Sequence, residues 1–246
     1  MRYGVAGDVH GNLEALRSVL AALEAAGAER IVCPGDVVGY GPDPDACAEL
    51  LAERDALVVA GNHDLMATGE LPVEGTGGIV RRTIEWTRGA IASSTRAWLA
   101  ELPLELTTGD GVLVTHGAIG DPTRYVRDEP AARAQLGELA RREPAPRGLL
   151  IGHTHHPMSF SAGGRWLLNA GSVGQSRERR PLARALVFDS GAAAESAEFL
   201  ALDYDARATR ARLRAAGLPP HACHLAPGRI AHLRRRVASL AGEAAR

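Results

Sequence analysis

Five short segments carry side chains that bind metal ions, and each follows an apolar run. They are Gly7-Asp8-Val9-His10, Gly35-Asp36, Gly61-Asn62-His63-Asp64, His116-Gly117 and Gly152-His153-Thr154-His155. Imidazole and carboxylate together suit manganese, iron, zinc or similar divalent ions, whereas oxygen-only cages suit magnesium or calcium. Asp8, His10, Asp36, Asn62, His116, His153 and His155 make seven donors, more than a single ion normally takes. They fit two ions about 3.5–4 Å apart that share a bridging carboxylate. Each segment alone admits a plain reading: Asp8 as a helix cap, His10 as a core residue, Gly61 to Asp64 as a turn. All five in order, each after an apolar run, argue against the plain readings taken together.

Something must bring these segments to one place. The apolar runs at residues 3–6, 30–33, 56–60, 112–115 and 149–151 are short, rich in Val, Ile and Leu, and alternate with helical patterns. Such runs read as strands buried on both faces of an α/β architecture. Taken as parallel neighbours, they place the donors in the crevice at their carboxyl ends, where α/β sheets bind ligands. Residues 12–26 carry apolar side chains at helical spacing, with Asn12 as N-cap and Gly27 at the C-terminal end. Asp43 and Pro44 suit the cap and first turn of a helix through Arg54. Residues 76–101 read as one or two helices interrupted near Gly89.

The second half changes character. Residues 158–161 and 165–168 flank Gly163-Gly164, a hairpin signal, and 183–189 and 198–202 add two strands. Consecutive strands without helices suggest a second, more antiparallel sheet. Helical patterns at 205–216 and 229–240 close the chain. We find no internal repeat and no linker, so the expectation is one domain over residues 1–246.

Bulk properties narrow the function. The net charge is −1, with 28 Lys plus Arg against 29 Asp plus Glu. Long nucleic acids are usually bound through a basic excess, so none is expected as a partner. The run Arg234-Arg235-Arg236 reads as a solvated helix face. Cys33, Cys47 and Cys223 are too few and too widely spaced for a disulfide framework. The first residues, MRYGVAGDVHGN, place chemistry where a signal peptide has its apolar stretch, and no run is long enough to span a bilayer. The expectation is a cytoplasmic protein with no membrane partner.

The ordered set Asp8-x-His10, Gly35-Asp36, Gly61-Asn62-His63-Asp64, His116 and Gly152-His153-x-His155 resembles the five signature blocks of the calcineurin-like metallophosphoesterase superfamily. The tract Asn169-Ala170-Gly171-Ser172-Val173-Gly174 resembles a segment of its small bacterial and archaeal phosphodiesterase branch. The resemblance implies a four-layer αββα sandwich, two mixed β-sheets flanked by helices. It also implies one metal on Asp8, His10, Asp36 and His155, and a second on Asp36, Asn62, His116 and His153.

By the same resemblance, a hydroxide activated by two divalent ions (Mn, Fe, Zn, Ni or Mg, with Mn the first choice in vitro) attacks the phosphorus of a small-molecule ester. His63, as imidazolium, protonates the leaving alkoxide or helps hold the phosphate. Asp64 hydrogen-bonds His63 and orients it. Asn62, His63 and Tyr40 are the substrate-binding candidates, with Tyr40 either stacking on a base or covering the core. Tyr125 carries the same ambiguity. Where relatives acting on phosphoproteins or diadenosine tetraphosphate carry a phosphate-binding arginine, this chain reads Gly35-Asp36-Val37-Val38-Gly39-Tyr40-Gly41. Arg124, Arg177 or Arg179 are the candidate substitutes. The leading reading is a phosphodiesterase for small diesters or nucleotides. The alternatives are a phosphomonoesterase or protein phosphatase, or a non-catalytic metal-binding scaffold. The oligomeric state stays open.

Overall fold

The first apolar run becomes strand β1 (Arg2–Val5), and its neighbours decide which side chain faces where. In this computed structural model, residues 1–191 and 196–227 are described. Tyr3 and Val5 point into a core shared with Val114, Leu150, Leu168 and Phe188. Ala6 and Val9 belong instead to a second core, with Leu16, Leu20 and Leu23 of helix α1 (Leu13–Ala25). A strand with a packed layer on each face needs apolar side chains at successive positions, which is why these runs do not alternate with polar residues.

Two further parallel strands follow by right-handed logic, each after a helix. Strand β2 (Arg30–Cys33) pairs parallel with β1, and β3 (Leu57–Val58) parallel with β2, separated in sequence by α2 (Pro44–Ala52). Helices α3 (Asn62–Thr68), α4 (Gly78–Ala90) and α5 (Ser93–Ala100) come next, with α4 and α5 both packing on α3. The helical stretch over residues 76–101 is interrupted after Ala90, next to Gly89, as expected. Ile91 is extended and buried there, and Asp45 accepts a hydrogen bond from the Ala92 amide at 3.0 Å.

The remaining strands are β4 (Glu105–Thr107), β5 (Val112–Thr115), β6 (Gly148–Ile151), β7 (Met158–Ala162), β8 (Arg165–Asn169), β9 (Ala183–Asp189) and β10 (Glu198–Leu202). Helix α6 (Glu129–Leu139) lies between β5 and β6, and α7 (Ala206–Ala215) follows β10. The sheets are β10-β9-β1-β2-β3 and β4-β5-β6-β8-β7, both mixed. Leu113, Leu149, Ile151 and Leu167 turn outward onto Leu136 and Leu139 of α6. The layers therefore run helices, sheet, sheet, helix, as expected for the sandwich. Truncating a fully buried residue such as Leu16 costs about 2–5 kcal/mol in cores of this kind.

Two expectations change. The five ligand-bearing strands are not neighbours in one sheet: three stand in the first sheet and two in the second, and the sheets face each other. The late strands do not form a sheet of their own either. The β7–β8 hairpin joins the second sheet through a parallel β6–β8 pairing, and the β9–β10 hairpin joins the first, antiparallel to β1. Hairpin signals report local pairing but not which sheet edge the hairpin completes.

Asn12 caps α1, its Oδ1 accepting from the Ala15 amide at 3.4 Å, and Asp205 caps α7. Asp43 precedes α2 but makes no side-chain cap; its carboxylate meets Arg212 of α7. The pattern at 229–240 and the Arg234-Arg235-Arg236 run lie outside the described residues. The three cysteines are buried and unpaired. No helix among the described residues is long and apolar enough to cross a membrane.

Candidate metal centre

The loops after the parallel strands continue the ladders beyond the strands themselves. Asp8 donates its amide to Gly35 O at 3.0 Å and His10 to Asp36 O at 2.9 Å, so the loops after β1 and β2 run together. In the second sheet, Gly152 donates to His116 O at 2.8 Å and joins the loops after β5 and β6. A strap after β8 crosses between the sheets. Val173 donates to Gly7 O, Gly174 to Asp8 O, and the Ser172 hydroxyl to Asp8 O at 2.8 Å.

These junctions bend the backbone sharply. Asp8, His10, Asp36, Tyr40, His153 and His155 all have left-handed φ between 52° and 65°. Among the described residues only one other non-glycine residue, Asp55, does so. Each such residue costs on the order of 1–3 kcal/mol, and clusters of them mark functional sites. Close approach demands glycine at two neighbours. A Cβ on Gly61 would lie 2.2 Å from Asp36 Oδ1, and one on Gly152 would lie 2.7 Å from Asp8 Oδ2.

Asp8, His10, Asp36 and His155 bring one ligand atom each within 4.8 Å of one another, and Asp36, His116 and His153 do the same. Asp36 belongs to both groups. All six are buried. Asn62 lies beside the second group, with its Oδ1 3.1 Å from His116 Nε2. The seven residues picked out in the sequence are thus brought together, by two sheets rather than one.

The outward ring nitrogens decide what the inward ones present. Nδ1 of His10, His155 and His116 lies against the carbonyls of Val38, Gln175 and Pro34, at 3.2, 3.0 and 2.7 Å. A neutral ring that donates from Nδ1 keeps its lone pair on Nε2. For His153 it is Nε2 that meets a carbonyl, Thr123 O at 2.9 Å, leaving Nδ1 for the centre. His10 Nε2 and His155 Nε2 then face each other at 3.1 Å, with Asp8 Oδ1 3.3 Å from the latter. Lone pairs and carboxylates directed at one another repel unless a cation stands among them. The donor set fits a pair of divalent ions with Asp36 shared.

Burial holds the His10 ring well below the usual imidazole range and His153 down at about 4. Burial also lowers His116, but the charge and hydrogen bond of Asp36 outweigh it and raise His116 to about 9. Ions and protons compete for these nitrogens, because ligating histidine is neutral.

The sequence model of the calcineurin-like phosphoesterase superfamily domain matches residues 1–190. The chain belongs to this superfamily. It is 31% identical over 210 residues to the uncharacterized protein MJ0912 of Methanocaldococcus jannaschii, spanning 75% of this chain and 81% of that protein. The metallophosphoesterase of Sphaerobacter thermophilus superimposes with a TM-score of 0.73 at 30% identity, over 91% of this chain and 96% of the other. Protein PH1004 of Pyrococcus horikoshii shares the fold, with a TM-score of 0.78 at 20% identity, over 90% and 96% of the two chains. The protein is a metallophosphoesterase, and its buried Asp/His cluster is where this family fold would hold a dimetal site.

One contact drawn from the resemblance differs in this metallophosphoesterase. Asp64 does not bond His63. Its Oδ1 accepts from the Val38 amide at 3.1 Å and its Oδ2 from the Gly61 amide at 2.9 Å, tying the first turn of α3 to the Asp36 loop. Burial and the nearby Asp36 charge push its carboxyl up to about 7. Burial lowers the His63 ring to about 4, and its Nδ1 has no hydrogen-bond partner among the described residues. Its amide donates to Asp36 Oδ1 at 2.7 Å. Gly61 to Asp64 is not an isolated turn: Gly61 caps α3, and Asn62, His63 and Asp64 form its first turn.

A cleft of about 210 Å³ opens over the cluster, lined by Tyr40, Asn62, His63, Met66, Tyr125 and Arg177, among others. Tyr40 is 5% exposed, and its ring packs on those of His10 and His63, each centroid 4.7 Å away. Tyr125 stacks on His153 at 3.9 Å and carries the Arg127 guanidinium 3.7 Å from its centroid. Two planar groups this near one centroid must take opposite faces, so Tyr125 offers a base no open face. Of the three substitute arginines, only Arg177 lines the cleft. The positioning roles of Pro34, Thr123, Ser172 and Gln175 carry no sequence signal of their own. The Gly-Ser-Val-Gly tract marks the neighbourhood of Ser172 and Gln175 only, and nothing in it says which main-chain groups it grips.

Proposed function

We propose that this metallophosphoesterase hydrolyses small phosphodiesters at the cluster of Asp8, His10, Asp36, Asn62, His116, His153 and His155. The observation that carries this is Asp36, whose Oδ2 lies 3.6 Å from His10 Nε2 and 3.3 Å from His116 Nε2, common to both ligand groups. Two divalent ions bound there, manganese being the first choice in vitro, would lower the pKa of a water and stabilise charge on the phosphate.

The chain's own residues do the rest. In this reading the buried ring of His63, whose burial disfavours the imidazolium, holds a phosphate oxygen through an N–H. Asp64 fixes the turn that aims Asn62 and His63. A diester phosphate carries one negative charge, and the residues lining the cleft include one guanidinium and no lysine. That balance supports a diester over a dianionic monoester. The cleft's modest volume supports a compact ester.

The test is the initial rate on bis-p-nitrophenyl phosphate against p-nitrophenyl phosphate, with manganese restored after chelation. A marked diester preference is expected. Monoester preference would move the reading to a phosphatase. No turnover of either with both ions bound would sink the hydrolase reading and favour a metal-binding scaffold.

A further inference from the structure

We propose that Arg177 is the cation that binds the phosphoryl group of the substrate, an inference that rests on the phosphoester reading of the cleft. Arg177 leaves the strap that follows β8 and enters the cleft beside Asp36, Asn62, His63 and His155. Its guanidinium is anchored on one side only. Nε donates to Gln175 Oε1 at 3.1 Å and Nη1 to Thr154 O at 3.3 Å.

Nη2 has no hydrogen bond among the described residues, and no carboxylate there pairs with the group. The adjacent carboxylate is already taken: Glu178 receives Arg184 at 2.7 and 2.8 Å. A half-buried guanidinium without a counter-anion is costly unless something anionic comes to it.

The anchoring ties Arg177 to the metal ligands themselves. Gln175 is fully buried; its side chain receives Arg177 while its carbonyl receives Nδ1 of His155. Thr154, the other anchor, sits between His153 and His155. A guanidinium held this way keeps a fixed place relative to the ligand nitrogens. Its remaining N–H groups match the oxygens of a phosphoryl group, which a flexible ammonium would engage less specifically. Other nearby arginines are committed elsewhere or exposed: Arg127 lies over Tyr125, and Arg180 pairs with Asp203 at 3.7 Å.

The experiment is calorimetric titration of inorganic phosphate into manganese-loaded wild type and R177Q, with metal content measured on both. R177Q should keep its ions and bind phosphate roughly ten- to a hundred-fold more weakly. On bis-p-nitrophenyl phosphate it should raise KM more than it lowers kcat. A second measurement needs no variant: phosphate should slow phenylglyoxal modification of Arg177 in the wild type, followed by peptide mass. Unchanged phosphate affinity in a fully loaded R177Q, or no protection by phosphate, overturns the assignment and leaves Arg177 a structural clamp. The hydrolase reading fails separately. If wild type turns over no ester while R177Q still loses phosphate affinity, only that reading falls.

Discussion

His10 Nε2 and His155 Nε2 stand 3.1 Å apart, each turned inward because its own Nδ1 meets a main-chain carbonyl. One histidine comes from the first sheet and one from the second, so a cation between them also fastens the sheets together. Chelation should therefore lower the melting temperature, and manganese should restore it. Ions at a hundred-fold excess over Kd contribute about 2.7 kcal/mol per site, which at this chain length is a shift of several degrees. Differential scanning fluorimetry with and without chelator checks this. An unchanged melting curve would mean that the cluster holds no ion.

Gly61→Ala should disable the centre without replacing a ligand. Its Cβ would lie 2.2 Å from Asp36 Oδ1, so the shared carboxylate or α3 must move. Overpacking of this kind costs about 1–3 kcal/mol. We expect metal stoichiometry by elemental analysis to fall below that of Gly152→Ala, whose Cβ clash with Asp8 Oδ2 is milder at 2.7 Å.

His63→Ala should retain both ions and lose most turnover. If His63 holds phosphate as a neutral donor, the loss should be the same for p-nitrophenyl and alkyl leaving groups. A loss that grows with leaving-group pKa would return the ring to the role of general acid.

The left-handed backbone at the ligands makes an opposite-sounding prediction for stability. His153 has φ 65°. With the imidazole lost in both, His153→Gly should be more stable than His153→Ala by about 1 kcal/mol, because only the alanine keeps a Cβ in that conformation. Urea unfolding of the two metal-free variants measures the difference.

Glu178 and Arg184 brace the strap from outside. The hydrogen bonds from Arg184 hold the Glu178 carboxyl below its ordinary value of 4.5. A carboxyl depressed by folding stabilises above its unfolded pKa, and that contribution is lost as pH falls through the folded value. Glu178→Gln should therefore lower the melting temperature at pH 7 and converge on wild type toward pH 3. A gap that persists in acid would assign the effect to packing.

The chemistry of this protein was legible in its sequence because ligand identity is a local property. Seven donors, each beside a glycine or at the end of an apolar run, state what they bind wherever they are placed. The strand positions were legible too, since burial on both faces leaves unbroken apolar runs such as Val112 to Val114 and Ile31 to Cys33.

Partition among sheets was not legible. Nothing local to β8 says that it pairs parallel with β6, or that β9 closes the other sheet against β1. Protonation was not legible either. His63 and Asp64 are adjacent in the chain, yet burial lowers the first to about 4 and raises the second to about 7. Nor was the unpaired guanidinium of Arg177, one arginine among several until the strap set it in the cleft and Arg184 occupied Glu178. Residue type determines which atoms can bind an ion or an anion. Only the packing of the two sheets decides which atoms face each other, how dry they are and which are left without a partner.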